Sequence, residues 1–231
     1  MAKILLIALA ALPLGGVLAA PLLPKKPPIE KHPTDSRKYT TGKFEGCDPW
    51  GVGGDPYLNQ LKNRDRPAST FKAVPIQQLL DYAPAKAVAM GKKARWKWTQ
   101  TALKQVFGRE QKYVMIEGFM VKAKDEEGEA CNCGDGEQVD THTWLAAQRD
   151  GDWKTQGLVA EVSPRLKQLH PDWSEQGFEE YLKTNQLRVY GWLMWDQEHL
   201  SQVGQYRGTA WEIHPIHRIQ YHAEDGTWKD L

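Results

Sequence analysis

"KYVMIEGFMVKAK", residues 112–124, is where the apolar period of this chain changes from helical to two. Residues spaced two apart share one face of a strand, so this stretch reads as a long strand with Gly118 at a bend or bulge. The same period continues downstream. "VDTHTWLAAQ" (139–148) is a second strand, after the polar loop "EEGEACNCGDGEQ". "LVAEVSPR" (158–165) is a third, ended by Pro164, after the turn region "RDGDWKTQG". "HPDWSEQGFEEYLKTNQ" follows with a D-x-x-E capping pattern at Asp172 and Glu175. Phe178, Tyr181 and Leu182 lie on one face, which predicts a helix over roughly 173–184. "LRVYGWLMW" (187–195) is the fourth strand and "GTAWEIHPIHRIQYH" (208–222) the fifth. Pro215 donates no ladder hydrogen bond, so the fifth strand is bulged there or lies at an edge.

Three strands, a helix and two strands is the element order of the OB-fold, a five-stranded Greek-key barrel. The fold class expected is therefore mainly β, an OB-like barrel over 110–223 with a tail at 224–231. A generic α+β sandwich is the alternative. Upstream, residues 45–109 read as a Gly-rich clasp and short helices. Tyr57, Leu58 and Leu61 suggest one helical turn, "VPIQQLLDYA" has helical spacing, and "TQTALKQVFG" has Thr99 as N-cap and Gly108 as stop.

Residues 20–44 are rich in proline and charge and show no apolar period, which reads as a flexible arm. Before them, "MAKILLIALAALPLGGVLAA" places Lys3 ahead of an apolar run that is too short and too interrupted to span a bilayer. Val17-Leu18-Ala19 fits a signal-peptidase site, so residues 1–19 are expected to be a signal peptide. The chain is then periplasmic or secreted, with no transmembrane anchor in the mature form. The leader holds only one charge, Lys3. Lys plus Arg falls from 30 to 29 against 29 Asp plus Glu, and the mature chain is formally neutral. That weighs against broad nucleic-acid binding.

An exported chain with Cys47, Cys131 and Cys133 is expected to form a disulfide. A bridge between Cys131 and Cys133 is geometrically tight, so Cys47 should pair with one of them. A Cys₃His zinc site is the competing reading.

"GDPYLNQLKNRDRP", "EGFMVKAK", "EACNC", "VDTHTWL", "VAEVSPRLKQLHPDW", "LRVYGWLMWDQEH" and "RGTAWEIHPIHRI" together resemble a group of exported bacterial proteins with an OB-like domain. The resemblance covers most of residues 45–231, and "RGTAWEIHP" is its most specific motif. It implies fold and compartment and carries no catalytic residue with it. Staphylococcal-type nucleases share the barrel, but their paired-carboxylate and arginine pattern has no evident counterpart here.

The candidate chemistry lies on the strands. Asp140, His142 and Trp144 fall on one side of the second strand, and Glu212 and His214 on one side of the fifth. Two histidines with carboxylates suit a divalent metal ligated by His142 and His214, or proton transfer. They equally suit hydrogen-bonded pairs or a wet sheet face. A single metal site requires both imidazoles within reach of one ion. Trp144, Trp192, Trp195 and Trp211 read as packing first and as stacking platforms second. There is no G-x-S-x-G, no P-loop and no H-E-x-x-H. The function expected is an exported OB-like binding module for a small molecule, glycan or protein. It would use the second strand's face, roofed by loops 125–138 and 196–207. The alternatives are a metal-dependent hydrolase centred on Asp140, His142 and His214, and a structural envelope protein.

Overall fold

The computed structural model describes residues 39–231. The expected signal peptide and most of the Pro-rich arm lie outside the described residues. Seven strands form one sheet: β1 (Lys72–Ala73), β2 (Tyr113–Asp125), β3 (Thr141–Ala146), β4 (Leu158–Val162), β5 (Gln186–Trp195), β6 (Trp211–His222) and β7 (Trp228–Asp230). Their order is β1-β2-β3-β4-β6-β5, and β5 returns to pair with β2. Strands β2 to β6 therefore close into a five-stranded barrel. All its pairs are antiparallel except β4 with β6.

Closure depends on β2. Its first half, to Phe119, pairs with β5, and its second half, from Phe119, pairs with β3. The expected bend is real, but the register shift falls between Met120 and Lys122, not at Gly118. Gly118 serves a close approach instead: a Cβ there would lie 2.7 Å from the Ala146 carbonyl oxygen. On β6 one register shift falls between Ile213 and Ile216, the stretch that holds Pro215, and the strand is central, paired with β4, β5 and β7. Pro215 thus sits at a bulge, not an edge. Within the tail, β7 pairs with β6.

The expected helix over 173–184 is absent. The segment is a run of turns with one 3₁₀ turn at Glu179–Tyr181. Two anchors organise it, Trp173 (2% exposed) and Phe178 (0% exposed). Gly177 comes so close to Asp172 that a Cβ would meet the Asp172 carbonyl oxygen at 1.9 Å. Glu175 does not close a capping box. Its carboxylate accepts from the Asp125 backbone N–H at 3.0 Å, satisfying the end of β2. The helix after β4 is instead a single turn, Pro164–Lys167.

Four short helices precede the barrel: α1 (Pro56–Lys62), α2 (Ile76–Leu80), α3 (Ala85–Val88) and α4 (Gln100–Glu110). Thr99 caps α4 by accepting from the Ala102 N–H at 3.2 Å. Gly108 does not stop α4, which runs on to Glu110. That last turn is fixed by Arg95, whose guanidinium grips both Glu110 oxygens at 2.6 and 2.8 Å with both side chains fully buried. Asp55 caps α1 by accepting from the Tyr57 N–H at 3.0 Å. The clasp is docked by Arg64, which donates to the backbone oxygens of Glu110, Leu193 and His214. It is stapled by a disulfide between Cys47 and Cys133, leaving Cys131 free and buried. Among the described residues no helix is long and apolar enough to cross a membrane.

Candidate metal centre

Alternation decides which side chains meet. Leu145, Ala160 and Ile213 belong to the main apolar core. Their neighbours on β3, β4 and β6 must therefore point to the opposite face of the wall. On that face His142 stands directly across from Glu161, as a cross-strand pair. The parallel register of β4 with β6, Val159 opposite Glu212 and Ala160 opposite Ile213, brings His214 alongside Glu161. Three adjacent strands thus supply His142, Glu161 and His214 in a row.

This face would be wet in a bare barrel. Here it is covered. Lys62, the last residue of α1, and the 3₁₀ turn Ala130–Asn132 close over it. Gly51 allows this docking: a Cβ there would overlap the Ala130 carbonyl oxygen, which accepts from the Val52 N–H at 2.9 Å. As a result Asp140, Glu161, Glu212 and His214 are all at most 1% exposed.

The centre is crowded. Glu161 Oε2 lies 3.0 Å from His142 Nε2 and 2.8 Å from His214 Nδ1. Neither contact has hydrogen-bond geometry, and all three atoms lack a hydrogen-bond partner. Around them stand Glu129 Oε1, 3.6 Å from His142 Nε2, and Asp140 Oδ2, 3.8 Å from His214 Nε2. Glu212 Oε1 is 3.4 Å from His214 Nδ1. The permanent cations are Lys62, 2.6 Å from Glu129, and Arg207, 2.9 Å from Glu212 and 3.1 Å from Asp196. His199 completes the outer edge by pairing with Asp196.

The electrostatics follow from this crowding. Burial alone would push the His142 and His214 pKa values down. The facing carboxylates, Glu161 foremost, outweigh it and raise both to about 10. Burial would raise Glu161, but the two imidazoles hold it well below the usual carboxylate range. Asp140 is raised to about 6 by burial and by the charge of Glu129, against the pull of His214. The metal-free centre thus balances its surplus of carboxylates by holding protons on two buried imidazoles. A divalent cation bound by these carboxylates and imidazoles would do the same work in place of those protons.

Three sets of side chains bring ligand atoms within 4.8 Å of one another: Glu129, His142 and Glu161; Asp140, Glu161 and His214; and Glu129, Cys131 and Asp140. The two histidines fall in different sets. The expectation of one ion reached by both imidazoles is therefore corrected: they converge on Glu161, not on each other. The reason is the sheet itself, since β4 lies between their strands.

The other expected site residues divide. Asp140 and Glu212 join the centre. Trp144 does not; its indole N–H donates to the Tyr206 carbonyl at 2.7 Å and its ring packs on Trp153 as a wall of the cluster. The four strand tryptophans are all at most 5% exposed, so they are packing, not open platforms. Both expected roofing loops contribute, through Glu129 and through His199 and Arg207. Sequence reasoning missed Glu161, the central residue. Its signal was present: a lone charge in the apolar run "LVAEV" of a strand buried on both faces must be paired or ligating. Lys62 carried no such signal, because it meets Glu129 across 67 positions.

What the fold and centre define is an OB-like barrel with a buried histidine–carboxylate cluster in its wall. In comparison with protein-family models, with curated proteins and with solved structures, the chain has no significant match.

Proposed function

We propose that this protein is an exported OB-like binding module whose ligand is a divalent transition-metal ion. The observation that carries the reading is Glu161 Oε2, seated between two imidazole nitrogens at 2.8 and 3.0 Å with no hydrogen-bond geometry to either. Buried polar atoms this close and unpartnered are rare in a finished fold. Imidazole and carboxylate donors suit zinc and its neighbours. Export is supported by the leader-like first 19 residues, by the Cys47–Cys133 disulfide and by the resemblance to exported bacterial proteins. Metal analysis of the purified mature protein, before and after chelation and refilling with zinc, tests the reading. At least one equivalent should be retained by the wild type and lost from Glu161→Gln. A wild type that stays empty after refilling sinks it.

A second reading, a metal-dependent hydrolase, is favoured by one observation. His199, oriented by Asp196, lines a cavity of about 220 Å³ together with Lys62, Glu129 and Cys131. An imidazole held by a buried carboxylate beside a metal centre is placed to move a proton to or from water. Hydrolysis of activated phosphate and carboxylate esters by the zinc-loaded protein, lost in His199→Ala while metal is retained, tests it.

A further inference from the structure

Cys131 is the free thiol that the disulfide leaves over, and it is 2% exposed. Its sulfur donates to Glu129 Oε2 at 3.3 Å and approaches Asp140 Oδ2 at 3.9 Å. Asn132 Nδ2 holds the other oxygen, Asp140 Oδ1, at 3.2 Å. That contact turns Oδ2 towards both the thiol and His214 Nε2, which lies 3.8 Å away, fully buried and without a hydrogen-bond partner. A hydrogen bond from a neighbour commonly orients a metal-binding carboxylate in this way.

The three ligand sets interlock. Glu129, Asp140 and Glu161 each belong to two of them, while His142, His214 and Cys131 each belong to one. A carboxylate has two oxygens and can serve two ions at once. Two ions sharing a bridge sit about 3.5–4 Å apart. His142 and His214 flank Glu161 from opposite sides, one on Nε2 and the other on Nδ1. One ion cannot use both without Glu161 leaving its place. Two ions can, with Glu161 between them.

We infer that the centre is dinuclear. One cation is held by His142, Glu129 and Glu161. The second is held by His214 and Asp140, and Glu161 bridges the pair. The inference rests on the metal reading above and adds the number of ions. The ligand atoms of each set lie within 4.8 Å of one another. Bond lengths of about 2.0–2.3 Å to zinc imply ligand–ligand separations of about 3.3–3.8 Å in a tetrahedron, so each set must draw in slightly, while the shorter Glu161 contacts to the imidazoles spread, as an ion enters. Entry of each ion releases to solvent the proton that its imidazole holds in the metal-free centre. Imidazole with carboxylate in each set favours zinc-like or cobalt ions over magnesium and calcium.

Cobalt(II) alone is the probe, added to the intact metal-free chain with its disulfide closed. The wild type should take up two cobalt ions per chain. His142→Ala and His214→Ala should each fall from two ions to one, since each removes the imidazole of one ion only. A wild type that saturates at one ion overturns the dinuclear centre. No cobalt uptake at all overturns the metal reading itself, a separate failure. The wild-type stoichiometry decides the matter even if a variant misfolds.

Discussion

Glu161 is one carboxylate answering two imidazoles in a place that excludes water. Its removal is therefore not the loss of one hydrogen bond. Breaking a buried charge pair from one side leaves the other partner uncompensated, at a cost of about 3–5 kcal/mol. Glu161→Gln keeps the shape and deletes the charge, so the metal-free protein should lose about that much in urea denaturation. Glu126→Gln is the control. Glu126 meets His142 only at 3.6 Å and from a quarter-exposed position, so its loss should cost less than about 1 kcal/mol. Equal effects of the two substitutions would place the central role elsewhere. His217 offers a second test at this scale. Burial, then the charge of Arg64, pushes its pKa down to about 3. An unfolded histidine takes up its proton near pH 6.5, while the folded one resists until about pH 3. Stability contributed this way is present above pH 6.5 and is lost as pH falls, by about 1.4 kcal/mol per unit. Asp140, raised to about 6, acts with the opposite sign in part of that window. The measurement is therefore the difference between wild type and His217→Gln across pH 7 to 4. A difference that does not change with pH would mean that His217 titrates normally.

At the scale of elements, alternation made the strands legible and their order made the barrel legible. Period two in residues 112–124 and 139–148, and a proline-closed run at 158–165, need only local information. The segment 170–186 was misread because its apolar residues are spaced like a helix but used as two separate plugs, Trp173 and Phe178. The face of the site was legible through Asp140, His142, Glu212 and His214. Its centre was hidden by the barrel's one parallel pair, β4 with β6, which no local pattern announces. Nor does sequence show how α4 is fastened. Arg95 donates to Glu110, to Gln197 and to the Trp195 carbonyl, and so ties the preceding helices to the end of β5. Burial would raise the Glu110 pKa, but Arg95 outweighs it and holds the carboxyl below its usual value. Glu110→Gln should cost about 3–5 kcal/mol for the same reason as at Glu161. Replacing Arg95 and Glu110 together by Met and Leu should recover only part of it: the pair itself then leaves no charge unpaired, but the buried Arg64 loses the countercharge of Glu110. If the double variant is as unstable as the single ones, the pair contributes more than mutual compensation.

For the whole molecule, the clasp and the barrel depend on each other through the buried histidine–carboxylate cluster. The barrel strands present Glu161, Glu212, His142 and His214 on a face that the clasp and the 126–140 loop, with Glu129 and Asp140, close over. Cys47 in the clasp and Cys133 in that loop are 86 positions apart and covalently joined. In the chain-entropy model a closed loop of this length stabilises by about 4–5 kcal/mol, most of it by restricting the unfolded chain. The same bond also tethers the turn that carries Glu129 and Cys131 to the segment that leads into Lys62. Opening it should therefore act twice. Cys47→Ala with Cys133→Ala should lower global stability by up to about 4 kcal/mol in urea. Hydrogen exchange should in addition rise locally, in residues 45–67 and 126–140, before the barrel strands exchange. The second effect separates a tether from a mere entropic crosslink. A crosslink that acted only on the unfolded chain would raise exchange uniformly, in proportion to the lost global stability. A preferential loss of protection over the clasp and its loop, with β3, β4 and β6 still protected, would show that the disulfide keeps the roof on the centre.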